Sequence, residues 1–245
     1  GHIGPTIGSY RHAQLWHDKY LKRYYSLMDE YDDIVAAHLF GHLHSEEFRL
    51  VAGENSSVAL LLASSVTPIY EGNPSFRIAQ YDRREGTILD YYTYAMDLNH
   101  TEKGWNQVRS FNEDFGVHNV TANSLKRIIR RIGNDDDQTL DVFLQNLKGG
   151  VPLPECDEHC RQSWFCTLQS PTRNFYDDCL SQFEESYSQR WMKGISAFLV
   201  IGLFVWIVYV RSRRAYAMKR QRALYEAARN ELQLVEDVFS DPQIS

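Results

Sequence analysis

Two short glycine–histidine motifs carry the residue types best suited to chemistry. The sequence opens with Gly1-His2, and Gly41-His42-Leu43-His44 follows an apolar run that ends at Phe40. Residues two apart point to the same side of an extended chain, so His42 and His44 can act together. Neutral imidazole is a frequent ligand of zinc-like ions, and glycine lets a backbone turn sharply. The pattern indicates a metal site, although two surface histidines after a core strand would have the same spacing.

The cysteines form a second group that could do chemistry. All four lie between Cys156 and Cys179, with three, five and twelve residues between successive members. An even number at close spacing predicts disulfides and an oxidising compartment. A structural zinc site is the alternative, but it usually requires paired C-x2-C spacings, which are absent here. The spacing leaves the pairing of the four cysteines open.

Three Asn-x-Ser/Thr sequons precede the most apolar part of the chain, at Asn55, Asn99 and Asn119. Each sequon alone is a weak signal, because such triplets arise by chance. Together with the cysteines they predict N-glycosylation and a lumenal or extracellular position. The net charge of −6 gives no nucleic-acid footprint, so nucleic acid is not an expected partner. Nothing in the sequence indicates an oligomeric state.

The elements that must position these residues follow from hydrophobic periodicity. Residues 14–31 have apolar side chains at helical spacing and predict a helix. Five apolar runs bounded by Gly, Pro and Asn predict strands at 34–40, 47–51, 58–63, 76–82 and 87–98. From Trp105 to Leu180 the spacing predicts short helices, the first around Val108, Phe111 and Phe115. A helix followed by strands indicates an α/β or α+β domain, with a small helical lobe after it.

Residues 194–210 form an uncharged run, and with Trp191 and Met192 it approaches the ~20 residues that cross a bilayer. Six basic and no acidic residues follow between 211 and 222. This predicts a transmembrane helix at 191–210 with a cytosolic tail at 211–245. The expected localisation is a single-pass type I membrane protein, with residues 1–190 outside the cell or in the lumen of the lysosome or another endomembrane compartment.

Taken together, these motifs resemble the C-terminal part of calcineurin-like metallophosphoesterases. The similarity is greatest to acid sphingomyelinase and the acid sphingomyelinase-like phosphodiesterases, and it covers about residues 1–180. The matching segments are Gly1-His2-Ile3-Gly4-Pro5, Phe40-Gly41-His42-Leu43-His44, Ser65-Val66-Thr67, Asn73-Pro74-Ser75-Phe76-Arg77, Leu89-Asp90-Tyr91-Tyr92-Thr93-Tyr94, Asn99-His100-Thr101 and the four cysteines.

The resemblance implies an α/β fold in four parts. Residues 1–104 would be the C-terminal half of a metallophosphoesterase β-sandwich flanked by helices. Residues 105–190 would be a helical subdomain stapled by two disulfides, followed by the transmembrane helix and the tail. The implied pairs are Cys156–Cys160 and Cys166–Cys179.

The resemblance also implies a metal-dependent phosphodiester hydrolase. His2 and His42 would bind one of two divalent ions, and His44 the other, with zinc as the expected metal. Tyr70 and Asn73 would contact a lipid or small phosphodiester substrate such as sphingomyelin. The family's D-x-H, G-D and G-N-H-E motifs do not occur here. The general-acid histidine is therefore expected upstream of this chain, and the chain alone is expected to be inactive.

Departures from the family pattern keep other functions open. Glu46 stands where the family has Asp, Gly4 replaces a proline, and Ile69 stands where the family's pocket tyrosine falls. The alternatives are a non-catalytic membrane ectodomain, including a pseudoenzyme, and a nucleotide or polyphosphate hydrolase of the same superfamily. His44 argues against a polyphosphatase. A plain adhesion or receptor ectodomain would leave the glycine-flanked histidines unexplained.

Overall fold

Within the part of the chain that the structure describes, six short strands form two separate three-stranded sheets. The structure is a computed structural model that describes residues 1–52, 57–134 and 136–239, with side chains described except at 51–52, 107–108, 185–200, 227–228 and 230–239. The first sheet has the order β1-β3-β2, in which β1 is parallel and β2 antiparallel to β3. The second is an antiparallel meander, β4-β5-β6. The strands are β1 (Ala37–Phe40), β2 (Glu47–Ala52), β3 (Ser57–Leu62), β4 (Ser75–Tyr81), β5 (Ile88–Ala95) and β6 (Asn106–Ser110).

The helices begin where side chains can accept hydrogen bonds from free backbone N–H groups. Thr121, Asp136 and Asp157 cap three of them, each by accepting from the N–H three residues later. The helices are α1 (Asp18–Glu30), α2 (Phe111–Phe115), α3 (Ala122–Gly133), α4 (Asp137–Leu147), α5 (Glu158–Gln169) and α6 (Arg173–Phe239). A mixed α/β architecture was predicted from the sequence, and the structure confirms it.

The main core lies between the two sheets' apolar residues and the helices α2, α3 and α4. Phe48 of β2 packs edge-on against three phenylalanines, Phe111, Phe115 and Phe143, with ring centroids 5.3–5.9 Å apart. Helix α3 contributes a largely apolar face, as its spacing predicts, and its buried apolar members are Leu125, Ile128, Ile129 and Ile132. This core anchors the strand that follows the second histidine motif.

One predicted helix is in fact a strand followed by a single helical turn. Val108 lies in β6, which pairs with β5, and only the segment from Phe111 onward is helical. The edge of β5 has a backbone donor and acceptor for every second residue, and satisfying these groups outweighs the local helical spacing.

Both disulfides implied by the resemblance are present, Cys156–Cys160 and Cys166–Cys179. The second is the more deeply embedded. Cys166 is fully buried and shares a small cluster with Ile7 and Tyr176. This cluster joins the segment after the first histidine motif to helices α5 and α6.

The chain divides into two units, Gly1–Glu184 and Glu185–Ser245. Helix α6 begins in the first and continues in the second. No helix within the described residues combines the length and the apolar character needed to cross a bilayer. The side chains of 191–200 lie outside the described residues.

The predicted transmembrane helix at 191–210 is therefore wrong. The predictions of single-pass type I topology and of a cytosolic tail at residues 211–245 depended on that helix, so they are wrong as well.

Candidate metal centre

The two histidine motifs meet in space although about forty residues separate them. The imidazole rings of His2 and His42 lie edge to face, with centroids 5.2 Å apart. The backbone N–H of Gly41 donates to the carbonyl of His2 at 2.9 Å, which fixes one loop against the other. A Cβ at Gly1 would come within 2.6 Å of the Phe40 ring, so this approach requires glycine. Two loops that are distant in sequence thus bring two imidazole rings into contact.

His42 and His44 both have left-handed backbones, with φ of 77° and 53°. Such conformations are uncommon for residues other than glycine and typically cost of order 1 kcal/mol or more each. They concentrate at functional sites, where the surrounding structure holds them in place. Two such conformations within three residues indicate that the surrounding structure, and not the local backbone preference, fixes the directions of these side chains.

His44 has a buried ring nitrogen with an unused lone pair or proton. Its Nδ1 finds no hydrogen-bond partner among the described residues. Tyr70 lies beside the ring, with centroids 5.3 Å apart, and is itself left-handed at φ 67°. A buried, unpaired imidazole nitrogen is costly unless something binds it. Imidazole nitrogen is a donor type that zinc-like ions accept.

The described residues contain no group of three His, Cys, Asp or Glu side chains close enough to hold a metal ion. The structure brings His2 and His42 together as a pair and leaves His44 beside Tyr70. The assignment of all three histidines as metal ligands stays a prediction.

The two predicted substrate residues have different surroundings. Tyr70 is 65% exposed, so its ring is available on the side away from His44. Asn73 is instead engaged by the fold. Its Nδ2 donates to the carbonyl of Gly149 at 3.1 Å, and its Oδ1 accepts from the N–H of Leu98 at 3.2 Å. Asn73 therefore joins the loop before β4 to the end of α4, and its role in substrate binding remains a prediction.

Two other histidines of this region have structural partners. His38, on β1, contacts the hydroxyl of Tyr24, and burial holds its pKa below the ordinary value. His17 caps α1, with its Nδ1 accepting from the N–H of Lys19 at 3.3 Å. The Nε2 of His38, like the Nδ1 of His44, is buried and has no hydrogen-bond partner among the described residues. His17 and His38 each have one side-chain contact that serves the fold, which makes them useful comparisons for the candidate ligands.

Behind the histidine loop lie two buried carboxylates that sequence reasoning missed. Glu46 accepts from the hydroxyl of Thr93 at 2.8 Å, and the guanidinium of Arg77 lies 3.5 Å from the same oxygen. Glu47 forms a buried ion pair with Arg49. The sequence signal was two acids, Glu46 and Glu47, that follow His44 after one serine, with Arg49 two residues later in an otherwise apolar strand. Acids at a strand start are usually exposed, so the signal was easy to pass over.

The three sequons have different settings. Asn99 is exposed, while Asn119 is half-buried and its Oδ1 accepts from Thr121 and Ser124, at 3.0 and 2.8 Å. Asn55 lies outside the described residues. Glycosylation at the three sites stays a prediction.

Comparison with known proteins places the chain in a family. It belongs to the family described as the acid sphingomyelin phosphodiesterase C-terminal region, whose sequence model matches residues 54–186. This confirms the resemblance inferred from the motifs. His2, His42 and His44 precede the matched residues.

Curated relatives extend the match over most of the chain. The acid sphingomyelinase-like phosphodiesterase 3b of Homo sapiens is 26% identical over 200 residues, which cover 74% of this chain and 43% of that protein. The cyclic GMP-AMP phosphodiesterase SMPDL3A of Mus musculus is 24% identical over 180 residues, covering 66% and 40%. The sphingomyelinase phosphodiesterase C of Dictyostelium discoideum is 24% identical over 199 residues, covering 74% and 44%. The chain thus spans about two fifths of the length of these relatives.

Proposed function

We propose that the chain is part of a metal-dependent phosphodiester hydrolase. In this proposal His2 and His42 bind one divalent ion and His44 binds a second, with zinc as the expected metal. The observation that carries it is the meeting of two imidazoles, 5.2 Å apart, from glycine-bearing loops distant in sequence. The left-handed backbones at His42 and His44, and the unpaired Nδ1 of His44, add support.

Bound divalent ions would supply Lewis-acid polarisation of a phosphoryl oxygen and a water of lowered pKa. The chain's own residues would hold the two histidine loops in position and orient the substrate. Phe40 packs against Gly1 and keeps the first loop seated on β1, while the hydrogen bond from Gly41 to the carbonyl of His2 fixes the spacing of the loops. Tyr70 covers one edge of His44 and offers its exposed ring to whatever group extends beyond the phosphodiester.

The proposed substrate class is a lipid or small phosphodiester. The relatives named above are phosphodiesterases, and their names refer to sphingomyelin or to cyclic GMP-AMP. An aromatic ring can pack against a lipid headgroup by cation–π contact or stack on a nucleobase. Because one relative is named for a nucleotide substrate, nucleotide phosphodiester hydrolysis is the second candidate.

The experiment compares alanine variants of His2, His42 and His44 with the same change at His17 and His38. Metal content is measured by elemental analysis, and turnover with bis(4-nitrophenyl) phosphate, in the full-length protein. Removing a ligand should lower metal affinity and turnover by on the order of 100-fold or more, because even residues behind the ligands typically contribute 10- to 100-fold. The two comparison histidines should change stability only.

Two results would contradict the proposal. One is normal metal content and turnover in His42→Ala when His38→Ala loses both. The other is a folded wild-type protein that neither binds zinc nor hydrolyses any phosphodiester, which would favour a non-catalytic role. Sphingomyelin and cyclic dinucleotides tested side by side would then separate the two substrate classes in an active protein.

A further inference from the structure

The carboxylate of Glu47 is buried three residues after His44, with 1% of the residue exposed. A buried carboxylate requires both a counter-charge and hydrogen-bond donors, since burial without them is very costly. Arg49 supplies the charge, through a contact between its Nη2 and Oε2 of Glu47. This leaves the other oxygen, Oε1, free to accept from elsewhere.

Oε1 accepts from two serines that belong to different histidine loops. Ser45, next to His44, donates its hydroxyl to Oε1. Ser9 donates to the same oxygen at 2.7 Å. Hydrogen bonds to an ionised acceptor are roughly twice as strong as neutral ones, and this acceptor is shielded from water. One carboxylate oxygen therefore bridges two segments of chain that are 36 residues apart at Ser9 and Ser45.

Ser9 lies on the turn that continues from the first histidine motif. Gly8 donates its N–H to the carbonyl of Ala13 at 2.8 Å, and Ile7 and Gln14 form an antiparallel bridge. This turn is a closed unit, so a restraint at its tip is passed to the segment that enters it. The entering segment, residues 1–7, carries His2.

We propose that Glu47 is a positioning residue that holds the loop of His2 against the loop of His42 and His44 through Ser9 and Ser45. The consequence for metal binding rests on the proposed function above. The restraint on the His2 loop does not depend on metal binding, because it concerns only the position of that loop.

The test removes one hydroxyl, with Ser9→Ala. Ser9→Thr keeps the hydroxyl and is the rescue variant. The matched control is Ser110→Ala, because the Ser110 hydroxyl also donates to a carboxylate at 2.7 Å, that of Asp90, which holds a different part of the fold. Ser110 additionally caps α2, so its loss should reduce stability at least as much.

Two measurements are made on each variant. The first is the nuclear Overhauser effect between the ring protons of His2 and His42, in this chain with labelled histidine and without added metal. The second is zinc affinity in the full-length protein, by competition with a chelator. Ser9→Ala should abolish or strongly weaken the ring-to-ring effect and lower zinc affinity about 10-fold or more. Ser9→Thr should restore both.

The control variant should lower the urea midpoint while leaving both measurements as in wild type. The proposal is overturned if Ser9→Ala preserves the ring-to-ring effect, or if Ser110→Ala weakens it equally. A wild-type protein that binds no zinc, with the ring-to-ring effect still dependent on Ser9, would reject the metal site and retain the restraint.

Discussion

The buried ion pair between Arg77 and Glu46 offers a quantitative test of how the histidine loop is anchored. Glu46 lies two residues after His44 and is 4% exposed, and the Arg77 side chain is 12% exposed. Arg77 also lies over the ring of Tyr91, 4.4 Å from its centroid. Burial alone would lower the pKa of Arg77, but Glu46 and Tyr91 hold it above the ordinary value, so the guanidinium stays charged.

Replacing Arg77 by Met removes the charge and keeps much of the volume. Glu46 would then be a buried carboxylate that still accepts from the hydroxyl of Thr93 but has lost its counter-charge. Breaking a buried pair by removing one partner typically costs 3–5 kcal/mol. Because Thr93 remains and Arg77 is not fully buried, we expect the lower end, about 3 kcal/mol. That is a large fraction of the 5–15 kcal/mol by which domains are typically stable.

The double variant Arg77→Met/Glu46→Gln should be more stable than Arg77→Met alone. Glutamine is uncharged, and its Oε1 can still accept from Thr93, so no buried charge is left without a partner. We expect a total loss of about 1 kcal/mol, because replacing both members of a buried pair is often nearly neutral. The double variant should therefore be about 2 kcal/mol more stable than Arg77→Met alone. Glu46→Gln alone should also destabilise, because it leaves the Arg77 charge without its partner, so the coupling between the two positions is at least about 2 kcal/mol, well above the few tenths seen for independent sites.

The assay is urea unfolding at pH 7 with the disulfides intact. Near-ultraviolet circular dichroism is the monitored signal, because it reports the tertiary packing. The single variants, the double variant and the wild type complete one thermodynamic cycle. A loss below about 0.5 kcal/mol for Arg77→Met, typical of surface substitutions, would refute the reasoning. So would a double variant whose loss equals the sum of the two single losses, because the pair would then not be coupled.

Two further measurements test the rest of the first unit. Replacing Cys166 and Cys179 by Ala should cost about 3 kcal/mol of unfolding free energy. The matched change at Cys156 and Cys160 should cost about 1 kcal/mol less, because those residues are 4 rather than 13 apart; equal losses would contradict this. Burial, followed by two nearby guanidinium groups, lowers the pKa of His12, so the unfolded chain binds a proton first as pH falls below about 6.5. Stability should therefore fall from pH 7 to pH 5, and His12→Gln should flatten that dependence, whereas an unchanged slope would exclude this histidine.

The spacing of apolar residues in the sequence correctly predicted the helices that bury one continuous face. The spacing in α3 was sufficient because its apolar residues meet the core at every turn, and four of them are buried. The disulfides were also predictable, by resemblance. The segment around Val108 was not, because its neighbours at Phe111 and Phe115 have helical spacing while the edge of β5 decides the outcome. The apolar run at residues 194–210 likewise does not by itself determine whether a helix crosses a membrane, and the transmembrane prediction based on it was wrong.

The candidate site divides in the same way. The histidines could be found from glycine-flanked motifs, because such motifs constrain the backbone locally. The residues that hold them could not, since Ser9, Glu47 and Arg49 become meaningful only when the fold brings a turn at one end of the chain to the start of β2. The spacing of residues in the sequence cannot predict the hydrogen bond between Ser9 and Glu47, which are 38 residues apart.

The two adjacent carboxylates explain why the histidine loop has a defined position on both of its sides. Neighbouring residues of an extended chain point in opposite directions, so Glu46 and Glu47 cannot serve the same partners. Glu46 is bound to β4 and β5, through Arg77 and Thr93, whereas Glu47 is bound to the turn at Ser9. The same two residues therefore connect the loop to the second sheet and to the other histidine motif. A loop held in left-handed conformations at two positions needs such anchors, because without them it would relax to an ordinary backbone and the ring of His42 would no longer contact that of His2.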